Sequence, residues 1–160
     1  MRCRSVVAFS RDGKTLATGN PFNEDKSVWL WRVADGKLIR RLKGHALGIR
    51  QVAFSPDNQQ LLVACRQEEI RLWNLSQGES RVADFPVTEH RSSGLYLTGR
   101  FQVTFTGTGI PLAADVGDRL VRIWNVSTGA ELLSAKHPDD KIVASAFAAS
   151  GLRYVTLGGK

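Results

Sequence analysis

Apolar and polar residues alternate along this chain in short runs, and the runs return in a fixed order. VVAFS, QVAFS, QVTFT and ASAFA carry Phe9, Phe54, Phe105 and Phe147, while SVWLWRV, EIRLWNL and LVRIWNV carry Trp31, Trp73 and Trp124. Alternation at period two predicts β-strands, and in VRIWNV and IRLWNL it suits strands packed between neighbouring sheets. Each Phe run is followed by a turn (SRDGK, SPDNQ, TGTGI, ASGLR), then by a second short strand (TLAT, LLVA, PLAA, RYVT). A loop and the Trp strand come next. A Gly-containing turn closes each of the first three units, at Ala34-Asp35-Gly36, Ser76-Gln77-Gly78 and Ser127-Thr128-Gly129, before an outer strand in KLIRRL, SRVADF and AELLSA. Asp, Asn and Gly at such turns are hairpin chemistry, since Gly accepts the positive φ that tight turns require.

The spacing is metrical. Phe54 to Trp73 and Phe105 to Trp124 are both 19 positions, and Trp31 to Phe54 and Trp124 to Phe147 are both 23. A repeat of about 42 residues holding four short strands predicts a β-propeller. The expected architecture is all-β: four-stranded blades at about 4–43, 48–85 and 99–136, and two strands of a fourth at about 141–160. Two irregularities interrupt the metre. Phe9 to Trp31 is 22 positions, with the surplus around residues 20–25, and Trp73 to Phe105 is 32, which places an insertion at about 86–98. Insertions in repeat proteins map to loops and often mark a binding face. Counting 19 beyond Phe147 passes residue 160, and counting 23 back from Phe9 passes residue 1. The expectation is therefore a piece of a longer protein or a truncated product, with further blades or self-association completing the arc.

Composition narrows the classes. A hydrophobic share of 42% over 160 residues suits a globular domain with a sizeable core. No apolar run approaches the roughly 18 residues of a membrane helix, and MRCRSVVAFS lacks a secretory h-region. Cys3 and Cys65 form no CxxC or metal-type spacing, so reduced thiols and a cytoplasmic location are expected. The N-x-S sequences at Asn74 and Asn125 follow tryptophans at strand ends, where turn chemistry explains them better than glycosylation does. The net charge of +7 lies wholly in residues 1–50. That asymmetry reads first as a solvated outer strand, which KLIRRLK fits, with acidic protein partners as the alternative and nucleic acid a more remote one.

The motifs resemble those of the WD-repeat family of propellers. Gly44-His45 precedes Phe54 as that family's Gly-His pair does, SRDGKTLATG and SPDNQQLLVA resemble its strand-turn-strand segment, and Asp25 and Asp118 each stand six residues before a tryptophan. The Asp that follows Trp in the family is Arg32, Asn74 and Asn125 here. The resemblance implies a structural tetrad of His, Ser/Thr, Asp and Trp within a blade, buried together because each must satisfy the others. Its remnants are Thr18, Asp25 and Trp31 in the first unit, His45 and Trp73 in the second, and Asp118 and Trp124 in the third. Gln67 and Val63 replace the second unit's Asp and hydroxyl residue, and Ala114 falls at the third unit's hydroxyl position. Family propellers mostly close with about seven blades.

No residues point to catalysis. GxSxG, HExxH, P-loop and zinc patterns are missing from the sequence, and FTGTGIPLAA has G-x-G without a third Gly or a helix after it. His137 stands in HPDD without clustered ligands, and His90 lies inside the insertion. No cofactor, metal or membrane is expected. The resemblance implies instead a rim, formed by the loops between second and third strands and the approaches to first strands. By alignment the rim holds Glu24, Lys26, Arg50, Arg66, Glu68, Phe101 and Arg119. The expected function is a non-catalytic protein-interaction scaffold. The alternatives are a sensor or docking domain of a larger signalling enzyme and, remotely, nucleic-acid binding.

Overall fold

The computed structural model describes residues 5–21, 25–66, 69–83, 102–116, 120–138, 141–148 and 153–159. The strands are β1 (Val6–Phe9), β2 (Thr15–Gly19), β3 (Val28–Arg32) and β4 (Leu38–Leu42), then β5 (Ile49–Phe54), β6 (Gln60–Cys65), β7 (Ile70–Asn74) and β8 (Glu79–Val82). They continue with β9 (Gln102–Phe105), β10 (Pro111–Val116), β11 (Leu120–Asn125), β12 (Glu131–Lys136), β13 (Lys141–Phe147) and β14 (Tyr154–Gly159). They form three antiparallel sheets in sequence order, β1 to β4, β5 to β8 and β9 to β12, and a hairpin β13–β14. Every strand pairs with its sequence neighbour, so the all-β arc of blades expected from the repeat is what the chain forms. The expected insertion at 86–98 lies outside the described residues.

One turn is built three times with different residues. Ser10 Oγ donates to Asp12 and accepts the Thr15 N–H, and Gly13 turns at φ +69°. Ser55, Asp57 and Asn58 repeat this with Asn58 at φ +59°. In the third sheet Thr106 and Thr108 share the side-chain bond at 2.9 Å and Gly109 turns at φ +87°. The left-handed residue is Gly or Asn in every case, the residues that adopt it at least cost. After the Trp strands, Asn74 Oδ1 accepts the N–H groups of Ser76 and Gln77, and Asn125 Oδ1 those of Ser127 and Thr128. Both Asn side chains are thus occupied as turn caps, the role that the sequence suggested for them.

The core lies between the sheets, in three seams. In the first, Ala17, Val28, Leu30 and Leu42 meet Val52, Leu61, Val63 and Trp73. In the second, Leu62, Ala64, Ile70 and Leu72 meet Val103, Phe105, Ala113 and Trp124. In the third, Ala114, Val116, Val121 and Ile123 meet Ile142, Phe147 and Tyr154. Each time, the Phe/Trp face of one sheet lies on the aliphatic face of the sheet before it. This follows from the period of two, which sends Trp and the residue before it to opposite faces.

Polar clasps cross the same seams. Gln51 Nε2 donates to Val103 O at 3.0 Å, and Gln51 Oε1 accepts the Val103 N–H at 3.1 Å. Gln102, at the same place in the next sheet, donates to Ser145 O and Ser145 Oγ. At the outer edge Arg40 donates to Leu75 O and Arg81 to Ser127 O, each at 2.9 Å. β4 is the solvated outer strand that KLIRRLK suggested, exposed from Leu38 to Arg41, and from it Arg40 reaches across to the second sheet. Arg41 pairs with Asp25, donates to Ser27 Oγ and lies 4.8 Å over the Trp29 ring.

Candidate functional site

The first two sheets are stitched together at the end where β2 and β6 finish. Ile49 N donates to Asn20 O across the two sheets, and within the second sheet Arg66 N donates to Gly48 O. A Cβ on Gly48 would lie 2.1 Å from Pro21 O, so only glycine lets these two loops approach. Gly44-His45 enters this end from the β4–β5 connection, and His45 is buried. Its Nδ1 lies 3.0 Å from Lys26 O, an atom that only accepts, so Nδ1 carries the proton. Its Nε2 then accepts the Trp73 indole N–H at 3.1 Å. One neutral tautomer satisfies both partners and ties the β2–β3 loop of the first sheet to the Trp strand of the second.

Charge surrounds this imidazole. Glu69 accepts from Arg71 Nε at 3.2 Å and from Ala46 N at 3.3 Å, and Arg71 also donates to Ser80 Oγ. Burial, first, and the Arg71 charge push the His45 pKa below its ordinary 6.5, against the Lys26 carbonyl and Glu69. Burial likewise pushes the Cys65 thiol up to about 12, so it is a packing group rather than a nucleophile.

In the first sheet the indole has a different acceptor: Trp31 Nε1 donates to Thr18 Oγ1 at 2.9 Å. Asp25 lies beside them at the β2–β3 loop, paired with Arg41. The Ser27 hydroxyl, then the Arg41 guanidinium, hold its carboxyl below the ordinary carboxylate range. In the third sheet Trp124 is fully buried, while Asp118 lies outside the described residues. The strand register there places Asp115 opposite Arg122, two residues before the tryptophan, as Thr18 and Val63 stand in the other sheets. Sequence alignment put Ala114 at that place. The shift traces to the connection between the second and third strands, where Val63 pairs with Arg71 eight residues on but Asp115 pairs with Arg122 seven residues on.

Of the rim residues expected from sequence, Lys26, Arg50 and Arg66 are described, and all three side chains are exposed. Lys26 stands on the β2–β3 loop, Arg50 is the second residue of β5 and Arg66 stands just past β6, so they share the stitched end. Glu24, Glu68, Phe101 and Arg119 lie outside the described residues, as do His90 and Gln67. No group of three or more His, Cys, Asp and Glu among the described residues is placed to hold a metal. No helix among them is long and apolar enough to cross a membrane. The Gln and Arg clasps leave one visible sign in the sequence, the shared Gln of QVAF and QVTF at Gln51 and Gln102.

Comparison with known proteins agrees with the sheets. The family described as WD domain, G-beta repeat matches residues 3–32 and 36–74, which are the first unit and most of the second. Protein tipD of Dictyostelium discoideum is 30% identical over 126 residues, covering 77% of this chain and 18% of that protein. The small ribosomal subunit protein RACK1y of Oryza sativa subsp. japonica is 32% identical over 125 residues, covering 77% of this chain and 34% of its own. Eukaryotic translation initiation factor 3 subunit I of Aspergillus niger is 33% identical over 91 residues, 56% of this chain and 26% of that one. The chain thus spans about a third or less of the length of these relatives. With matched repeats, three seams of the same construction and the Gly-His and Trp residues placed as described, the chain belongs to the WD-repeat family of β-propeller proteins.

Proposed function

We propose that the chain is a non-catalytic, cytoplasmic protein-interaction scaffold whose stitched end receives an acidic segment of a partner protein. The carrying observation is the placement of Lys26, Arg50 and Arg66, exposed and drawn from three segments, on a backbone locked by the Asn20–Ile49, Gly48–Arg66 and Lys26–His45 bonds. A charge held on a locked frame loses little freedom on binding, and that preorganisation is what a docking surface needs. The named relatives support the reading, since two of them are by name a ribosomal subunit protein and a subunit of an initiation factor, components of larger assemblies. Chemistry residing in other parts of a longer protein remains compatible with this role.

The test is binding of a fluorescent poly-glutamate peptide by the purified chain. The Arg50→Glu/Arg66→Glu double variant is expected to weaken it by about tenfold or more, and Lys43→Glu on the outer edge by much less. Equal losses from both variants would reduce the effect to net charge and sink the docking assignment. A single-stranded oligonucleotide bound more tightly than the peptide, with steep salt dependence, would favour the nucleic-acid reading instead.

A further inference from the structure

The stitched end holds a titratable group in its interior. Lys26, Arg50 and Arg66 are exposed there, while the buried His45 bonds to both sheets at once. Its Nδ1–H reaches Lys26 O at 3.0 Å on the β2–β3 loop of the first sheet. Its Nε2 accepts the Trp73 indole N–H at 3.1 Å on β7 of the second. Only a neutral ring can do both, because an imidazolium carries a proton on each nitrogen and accepts nothing. A proton on Nε2 would face the indole N–H, donor against donor. In the first sheet Thr18 Oγ1 takes the indole proton, but Val63 stands at that place in the second sheet and its side chain has no oxygen to offer. That neighbour cannot replace the imidazole.

The groups around the ring decide where it goes once charged. Among the described residues, Arg71 on β7 repels an imidazolium and Glu69, just before β7, attracts it. Glu69 already accepts from Ala46 N, beside His45 in the chain, at 3.3 Å. On the first sheet's side, Asp25 is engaged by Ser27 and Arg41. The Cys65 thiol, near the same Glu69 and Arg71, is pushed up to about 12 and stays neutral. Lys43, on the connection that carries His45, is exposed. A charged ring is therefore drawn from Trp73 and Lys26 O toward Glu69 and water, and the loop that bears Lys26 loses its tie.

We propose that His45 is a pH gate on the docking end: a neutral imidazole holds Lys26 in place for the acidic segment, and protonation of Nε2 releases the β2–β3 loop and weakens docking. The gate presupposes the docking role proposed above and adds its regulation. Its direction separates it from charge alone. One more positive charge at a cationic end would strengthen acidic docking as pH falls, whereas the gate weakens it. Burial and Arg71 hold the folded ring's pKa below 6.5, so docking is full above that pH and declines as pH falls through the folded value. Linkage is reciprocal: a bound segment must lower the imidazole's pKa by the factor that protonation lowers affinity.

Binding of a fluorescent poly-aspartate peptide by the full chain, followed between about pH 7.5 and 5, tests this, since carboxylates that titrate near about 3.9 stay charged over that range. Wild-type affinity is expected to fall by about fivefold or more toward the acid end. His45→Gln, whose amide can donate to Lys26 O and accept from Trp73 without titrating, should keep its affinity constant within about twofold. NMR titration of the wild-type imidazole is a second readout that needs no variant: saturating peptide should lower the His45 pKa. Affinity that holds or rises toward acid, a His45→Gln variant that falls in parallel with wild type, or an imidazole pKa unmoved by peptide would each overturn the gate and leave the docking role standing. Peptide binding at neutral pH that survives Arg50→Glu/Arg66→Glu would sink the docking role, and the gate with it.

Discussion

In the second sheet Trp73 lies against the first sheet and gives its indole N–H to the buried His45. In the first sheet Trp31 gives the same proton to Thr18 and stacks, half-buried, on Trp29. The two sheets share their strand order, their first turns and the pairing of each tryptophan with the second strand, and differ in the scaffold mainly by a register shift at Leu30/Trp31. The difference in acceptor comes from what reaches each Trp face. Gly44-His45 and the whole aliphatic side of the first sheet arrive over Trp73, while a hydroxyl from the neighbouring strand is the acceptor at Trp31. An indole N–H needs some acceptor when covered, and the family's Thr and His positions supply one each. Strand plan and polar roof are separable features of one repeat.

The largest expected effect separates the two tryptophans directly. Trp73→Ala opens a cavity between two sheets and takes the donor from His45 Nε2, and is expected to cost about 3–5 kcal/mol. Trp31→Ala removes a ring that is already half in water, so about 1–2 kcal/mol is expected. Urea unfolding at low protein concentration measures both. Equal losses would mean that the first sheet's face is covered in solution.

A smaller effect tests what binds the sheets sideways. Gln51→Leu keeps much of the volume but leaves the Val103 N–H and C=O without their amide partner, an expected loss of about 1–3 kcal/mol. Amide exchange at Val103 should accelerate with it. Gln59→Leu, on the exposed turn of the same sheet, is the control and should change little. If Gln51→Leu matches Gln59→Leu, the clasp is incidental and the apolar seam alone holds the second and third sheets in register.

The strand order was legible because it depends on local signals. Phe, Trp, the Ser-x-Asp-Gly/Asn turns and the glycines at 36, 78 and 129 act within a dozen residues of one another, and their periods survive in the sequence. The clasps were not legible, because Gln51, Arg40 and Arg81 bond to backbone atoms of another sheet. A carbonyl leaves no side-chain pattern to match. The same reason hid the acceptor of His45, which is the carbonyl of Lys26 rather than any of the polar side chains that the resemblance implied. Asp115 was missed through a one-residue difference in turn length, which changes register without changing the Phe-to-Trp spacing. Lys26, Arg50 and Arg66 were legible as rim positions only through the resemblance; nothing in their local sequence distinguishes them from Arg40.

The smallest expected effect is the pH response of the single roof histidine. His45 is neutral when folded, with Nδ1–H given to Lys26 O and Nε2 filled by the Trp73 N–H. Protonating Nε2 would set two N–H groups against each other in a buried place, beside Arg71 and opposed by Glu69. Its folded pKa is therefore below the ordinary value of 6.5. The unfolded chain binds this proton near 6.5 while the folded chain does not, so His45's contribution is fully present above that pH. It is lost progressively as pH falls from there toward the folded pKa. The depressed carboxylates Asp12, Asp25 and Asp57 give up their contributions only near and below their ordinary 3.8, so the two windows separate. Urea midpoints between pH 8 and 5 should fall for the wild type more than for His45→Gln, whose amide can donate to Lys26 O and accept from Trp73 without titrating. The first sheet has Thr18 in place of the imidazole, so Thr18→Val should lower stability equally at both ends of this range. An imidazole that titrates at or above 6.5 by NMR, or an unchanged slope in His45→Gln, would show that His45 opens to water and that the roof of the second sheet is no tighter than that of the first.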